Sequence, residues 1–202
     1  MNKMNLFALL AITLAALCPL SPANAAEPAK EYAFDPAHCS ITFQVRHIFV
    51  NVPGRFSDFG GAVRFDPNNL AGSSFDIKVK AASLDTFVDK RNEHLRTADF
   101  FDVAKFPEIS FKSKAIERKS ETQYLIKGTM TLKGVSRDIE LPVTYFGVKP
   151  NPMDPTKNVA GFAATLDVFM PDYSFCDPKW AAMGVLGQHA LLDINFEMLS
   201  DK

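Results

Sequence analysis

The chain is predicted to fold as an all-β domain of about eight antiparallel strands with one or two short helices. Three observations carry that prediction. Apolar and polar residues alternate with a period of two through most of the chain, as they do in strands with one dry face and one wet face. Clusters of turn formers such as Asp66-Pro67-Asn68-Asn69 separate the alternating runs. Helical signals are confined to residues 88–98 and a short stretch at 180–186.

The first element is not part of that domain. Residues 1–25 carry Lys3, an apolar run over 6–17 and a small-residue stop at Ala23-Asn24-Ala25, the pattern of a cleavable secretory signal peptide. The run is shorter than the roughly 20 residues that span a bilayer, so no stable membrane anchor is expected. Cys18 follows Leu17, where lipid attachment wants a small residue. Cleavage leaves residues 26–202 as one exported, periplasmic domain. Its length is 202 − 25 = 177 residues, enough for a substantial core. Losing Lys3 leaves 21 basic against 23 acidic residues, a net charge of −2 with no long runs of one sign. That balance argues against a nucleic-acid partner.

The strands then follow in order. Cys39, Ile41, Phe43, Val45 and His47 share one face of the first, with Ser40, Thr42, Gln44 and Arg46 on the other. Val63-Arg64-Phe65 precedes the Asp66 turn, and Phe75, Ile77, Val79 and Ala81 mark the next inward face. Residues 88–98 read as a polar helix. Phe100, Phe101, Phe106 and Phe111 fall within twelve residues after it, with Phe106-Pro107 as a stop. A helix feeding aromatic rings onto a sheet points to a lid or plug over an apolar interior. Alternation resumes at Ile109 and Phe111, at Ile126 through Leu132, and at Ile139 through Tyr145. It ends with Phe162 through Val168 and Ala190 through Met198. Lys133-Gly134 reads as a tight hairpin, and residues 150–155 as a rigid, proline-rich loop.

Such strands stack as a sandwich or close as an up-and-down barrel. Ala81, Gly128 and Ala164 on the inward faces favour a cavity over a solid core, although glycine also marks bends. Two readings of Cys39 and Cys176 stay open. They form a disulfide if closure makes the first and last strands neighbours, or they are two buried thiols.

No catalytic or metal signature stands out. The HExxH, CxxC and GxSxG patterns are absent, and Ser40 and Cys39 are strand neighbours of His38 that point away from it. His38, His47, His94 and His189 sit on separate elements, whereas zinc ligands usually come in close pairs. No enzyme activity, metal centre or cofactor is expected. A histidine-based metal-binding protein is the least favoured alternative.

An ordered set of short stretches resembles the YceI family. It begins with Asp35-Pro36-Ala37-His38-Cys39-Ser40-Ile41-Thr42-Phe43, Val45-Arg46-His47 and Gly54-Arg55-Phe56. Ser83-Leu84-Asp85-Thr86 and the block from His94-Leu95 to Phe111 follow, and then Gly128-Thr129-Met130-Thr131-Leu132-Lys133-Gly134-Val135-Ser136. The resemblance covers residues 32–198. Cys39 and Cys176 stand where the family carries other residues, which agrees with a bridge between them.

The resemblance implies a lipocalin-like barrel, a homodimer, and a bound isoprenoid lipid such as a polyprenyl chain or a quinone tail. Each buried methylene gives about 0.8 kcal/mol, so one isoprene unit offers on the order of 3–4 kcal/mol against an association cost of about 4–15 kcal/mol. The implied lining is Phe43, Val45, His47 and Phe49 from the first strand, then Phe75, Ile77, Val79 and Phe111. Met130, Ile139, Phe162, Leu166, Ile194 and Phe196 complete it. His47 faces inward near the mouth, either to bond a ligand head group or as a buried imidazole satisfied by a carbonyl or Arg55. Arg91 and His94 form a polar rim or a solvated helix face anchored by Leu95. Trp180 and Met183 cover the barrel or mark a contact surface. Storage, transport, and supply of a quinone-type ligand to a membrane oxidoreductase or a stress response all fit the same fold.

Overall fold

The computed structural model describes residues 28–202, so the expected signal peptide lies outside the described residues. The chain forms strands β1 (Glu31–His47), β2 (Val50–Phe56), β3 (Phe59–Arg64), β4 (Ser74–Lys80) and β5 (Leu84–Asp85). After helix α1 (Asp89–Arg96) come β6 (Glu108–Arg118), β7 (Gln123–Leu132), β8 (Val135–Pro150) and β9 (Lys157–Phe169). Helix α2 (Lys179–Ala182) and β10 (Leu186–Asp201) end the chain. All strands join one sheet in the order β10-β9-β8-β7-β6-β4-β3-β1-β2-β5, and β10 also pairs with β1. That last pairing closes the cylinder and decides for a barrel over a sandwich. Strands β2 and β3 form one stave, since β2 pairs with β1 from Ile41 to His47 and β3 pairs with it at Glu31 and Tyr32. Counting that stave once and setting aside the two-residue β5 gives eight staves.

The two-residue alternation is realised most cleanly in β7, where Tyr124, Ile126, Gly128, Met130 and Leu132 are buried and their neighbours are less so. The β7–β8 hairpin turns on Lys133 at φ 49° and Gly134 at φ 76°. Two positive φ values in a two-residue loop match the twist of the flanking strands. Strand β1 begins earlier than the alternation implies. Residues 35–38 bulge outward opposite Glu197 alone, since Phe34 faces Met198 and Cys39 faces Phe196. The bulge breaks the period without ending the strand.

Strand β2 escapes the sequence pattern because Pro53-Gly54 interrupts it. Pro53 is tolerated because only the two-residue β5 pairs with the outer edge of β2, at Arg55 and Phe56. Gly54 lies opposite Phe43, and a Cβ there would meet the Phe43 ring at 2.2 Å. Gly128 likewise makes room for the Phe111 ring, 2.7 Å from where its Cβ would be. Gly128 therefore does not leave cavity space, contrary to expectation. Ala81 does not either, being buried in a 3₁₀ turn after β4.

One end of the barrel is solid. Phe65, 2 % exposed, packs against Tyr124, Tyr145, Phe162 and Phe75 with ring centroids 4.9–6.0 Å apart. The other end is capped by residues 81–107 and 170–185. Phe101 meets Phe175 at 4.6 Å across these two segments, and Lys133 Nζ donates to the carbonyls of Ala98 and Phe175, both at 3.0 Å. The helical expectations thus resolve into α1 and α2 within this cap.

The cysteines do not pair. Both are free thiols. The first and last strands do lie side by side, but Cys39 stands opposite Phe196, ten residues along β10 from its start, whereas Cys176 lies in the cap before that start. At roughly 3.3 Å per residue the two are on the order of 25 Å or more apart, and a disulfide needs Cα atoms within about 7 Å. Cys39 Sγ donates to the Glu197 carbonyl at 3.0 Å, and burial pushes both thiols above their ordinary pKa.

Candidate functional site: an apolar cavity under a polar bracket

Between the aromatic floor and the cap lies a cavity of about 240 Å³ whose exposed wall is apolar. A cavity of about 150 Å³ with such a lining stays dry and admits benzene. This one is larger and not fully enclosed, so it suits an apolar guest.

The inward series from the sequence surrounds it. Phe43, Val45 and His47 of β1 line it, as do Phe75, Ile77 and Val79 of β4. Phe111, Met130 and Ile139 line it from β6, β7 and β8, and Phe162, Leu166, Ile194 and Phe196 from β9 and β10. Phe49 does not. It sits in the β1–β2 turn, 83 % exposed, because the strand ends at His47 and the parity argument ends with it. His47 lies at the exposed rim, and Arg55 pairs with Asp85 at 3.3 Å instead of with the imidazole.

Sequence periodicity missed the cap's share of the wall. Strand β4 is only seven residues long, and β2 has no partner beyond β5 on its outer edge. Residues 81–107 supply the wall there, with Thr86, Arg91, Leu95, Phe100 and Phe101 facing the cavity. The phenylalanine-rich stretch was the only signal for this. A helix-and-loop wall leaves no two-residue period to read.

Inside that wall is a polar bracket. The Asn92 Oδ1 accepts from the Thr86 amide at 2.8 Å and from its hydroxyl at 2.6 Å. Asn92 Nδ2 donates to Asp85 Oδ1 at 3.2 Å, and the Phe87 amide donates to the same oxygen at 2.9 Å. The Phe87 amide and then Asn92 hold the Asp85 carboxyl below its usual pKa, with Arg55 adding to the effect. Arg91 donates from Nε to Thr86 Oγ1 at 2.8 Å and from Nη2 to the Thr86 carbonyl at 2.6 Å. Thr86 and Asn92 are 2 % and 5 % exposed, so the bracket is a buried polar network with its partners supplied.

The histidines do not converge. His94 pairs with Asp99 at 3.0 Å and His189 with Asp167 at 2.8 Å. His38 Nδ1 is 2.8 Å from Asp35 and 3.9 Å from Glu197. That trio brings one ligand atom from each residue within 4.8 Å, on the outer face of the bulge. The close Asp35–His38 pair accounts for its geometry, lowering the pKa of Asp35 and raising that of His38.

The chain is similar to known proteins along almost all of its described length. The model of the YceI-like domain matches residues 32–198. A UPF0312 protein of Vibrio cholerae is 36 % identical over 169 residues, covering 82 % of this chain and 86 % of that one. A UPF0312 protein of Shewanella baltica is 32 % identical over 200 residues, 98 % of each chain. Among solved structures, BcnA of Burkholderia cenocepacia superposes with a TM-score of 0.70 at 22 % identity, over 83 % of this chain and 99 % of that one. A polyisoprenoid-binding domain from Saccharophagus degradans superposes with a TM-score of 0.61 at 15 % identity, over 86 % and 99 %. Those two structures share the fold. The family match, spanning β1 to β10, establishes that this chain belongs to the YceI-like domain family.

Proposed function

We propose that this barrel is a non-catalytic holder of a long apolar isoprenoid lipid, a polyprenyl chain or the tail of a quinone, working in the periplasm after export. The observation that carries this reading is the cavity, walled by aliphatic and aromatic side chains, closed at its floor by Phe65 and roofed by the cap. The Saccharophagus degradans neighbour, named for polyisoprenoid binding, supports the ligand class. The signal-like residues 1–25 support the compartment. Binding needs only shape and dryness, since burial of apolar surface supplies the driving force.

A second reading, supply of a quinone-type ligand to a membrane oxidoreductase or a stress response, draws support from the capped end. Ile48, Phe49 and Val50 at the β1–β2 turn and Phe87 and Val88 before α1 are exposed apolar residues there, a surface suited to handover. Both readings are tested by displacing an apolar fluorescent dye with linear polyprenols of increasing length. Affinity rises by several-fold or more with each added isoprene unit until the cavity is filled. No displacement at any length would refute the proposal.

A further inference from the structure

The capped end leaves several large apolar residues in solvent. Ile48, Phe49 and Val50 at the β1–β2 turn, Phe87 and Val88 before α1 and Met183 after α2 are 46–83 % exposed. The Ile48 amide donates to the Val185 carbonyl at 3.0 Å, which brings the segment of Met183 beside the turn. Asp85 pairs with Arg55, so the chain leaving β5 heads along β2 towards the same turn. Two of these residues also hold an unfavourable backbone. Ile48 lies at φ 51° and Phe87 at φ 65°, the left-handed region that β-branched and bulky side chains rarely adopt. Glycine at either position would relieve the strain and take apolar surface out of water. Strain kept at an exposed apolar tip does not serve the fold and points to a partner.

The charges around the turn fit an anionic surface. Residues 39–57 include Arg46, His47 and Arg55 and no carboxylate. Arg46 is exposed and forms no ion pair among the described residues, while Arg55 is matched by Asp85 and Lys179 of α2 by Asp177. Helix α1 is balanced, with Lys90 and Arg91 against Asp89 and Glu93. An apolar, aromatic tip beside an unpaired cation is the make-up of a segment that lies in a lipid–water interface. The turn also hangs directly on the lumen wall, since His47 and Val52 on either side of it line the cavity.

We infer that the β1–β2 turn docks the capped end of the barrel reversibly on an anionic phospholipid bilayer, with Phe49 as the inserted ring and Arg46 facing the lipid phosphates. This rests on the isoprenoid reading above and names the surface with which the guest is exchanged. An isoprenoid chain that leaves a dry lumen needs another apolar phase, and a bilayer supplies it. Docking through the turn sets that phase next to the cavity wall.

The test measures flotation of the exported protein with vesicles of phosphatidylcholine alone and of phosphatidylcholine and phosphatidylglycerol in equal parts. The wild type binds the anionic vesicles about fivefold more tightly than the neutral ones, and added salt removes the difference. F49S weakens binding to both by about tenfold, while its melting temperature and dye affinity stay at wild-type values because the ring lies outside core and lumen. R46Q loses only the preference for anionic vesicles. M153S removes an apolar side chain that is 90 % exposed in the β8–β9 loop and floats like the wild type. Absence of flotation by the wild type, equal affinity for the two vesicle types, or equal flotation of F49S and wild type would each overturn the inference. So would M153S weakening flotation as much as F49S, which marks general stickiness. Light scattering in which F49S splits a wild-type oligomer, with flotation unchanged, would give the turn to a second copy of this chain instead. If polyprenols fail to displace the dye while flotation persists, the isoprenoid reading falls and the docking does not.

Discussion

Phe162 stands edge-on to Phe65, with ring centroids 5.5 Å apart and planes at 87°. Phe162 also lines the cavity, so this contact is the boundary between the solid and hollow parts of the barrel. Phe65 is nearly inaccessible and touches three further rings of the floor, those of Phe75, Tyr124 and Tyr145. Phe65→Ala is expected to cost about 3–5 kcal/mol in urea unfolding. It also lengthens the lumen, so longer polyprenols gain affinity relative to shorter ones. A loss under about 1 kcal/mol would mean that the floor is not packed as described.

Gly54 and Phe43 are cross-strand partners at the wall, and the ring occupies the space of a side chain at position 54. Gly54→Ala drives the Phe43 ring inward. The expected result is a loss of about tenfold or more in dye affinity, with a stability cost of about 1–3 kcal/mol. Unchanged affinity would show that the ring moves outward and does not guard the lumen.

Alkaline pH probes the floor. Burial, and then the neighbouring Tyr32, push the Tyr145 hydroxyl up to about 12. Unfolded tyrosine ionises near pH 10. The folded state therefore binds the proton more tightly, and its stabilising contribution is complete below pH 10 and lost as pH rises towards 12. For this group the loss amounts to about 2–3 kcal/mol. Denaturant midpoints for the wild type should fall over that window, and those for Tyr145→Phe should fall less steeply. Parallel curves would remove Tyr145 from the account.

The turn at Phe49 gives the opposite expectation. Its side chain is exposed, so Phe49→Ser shifts stability by no more than about 0.5 kcal/mol and leaves dye affinity unchanged. A clear loss of affinity would return Phe49 to the lining.

Thiol labelling checks the cysteines. Denatured, unreduced protein is expected to label at both Cys39 and Cys176. Labelling at neither would mean that they are bridged.

The barrel was legible because its strands are wet outside and dry inside, so parity assigned the inward face of β1, β4 and β6 through β10 almost without error. Closure was not legible from periodicity alone, since a sandwich shows the same alternation. Parity failed where the chain stops being a strand, at Phe49, and where Pro53 and Gly54 interrupt β2. It also misread Gly128, whose missing side chain serves the Phe111 ring and not a guest. The Thr86–Arg91–Asn92 bracket had no signature in spacing, because a loop and one short helix build it through hydrogen bonds that follow no period. The cysteines show the same limit. Strand adjacency was expected only if the sheet closed, and register, which set them far apart, was not legible.

Native mass spectrometry of the protein purified from its own host, followed by organic extraction, tests the central claim most directly. The account predicts a folded species carrying the added mass of one lipid, with an isoprenoid chain recovered in the extract. A folded protein at its bare mass, with no lipid released, would contradict it.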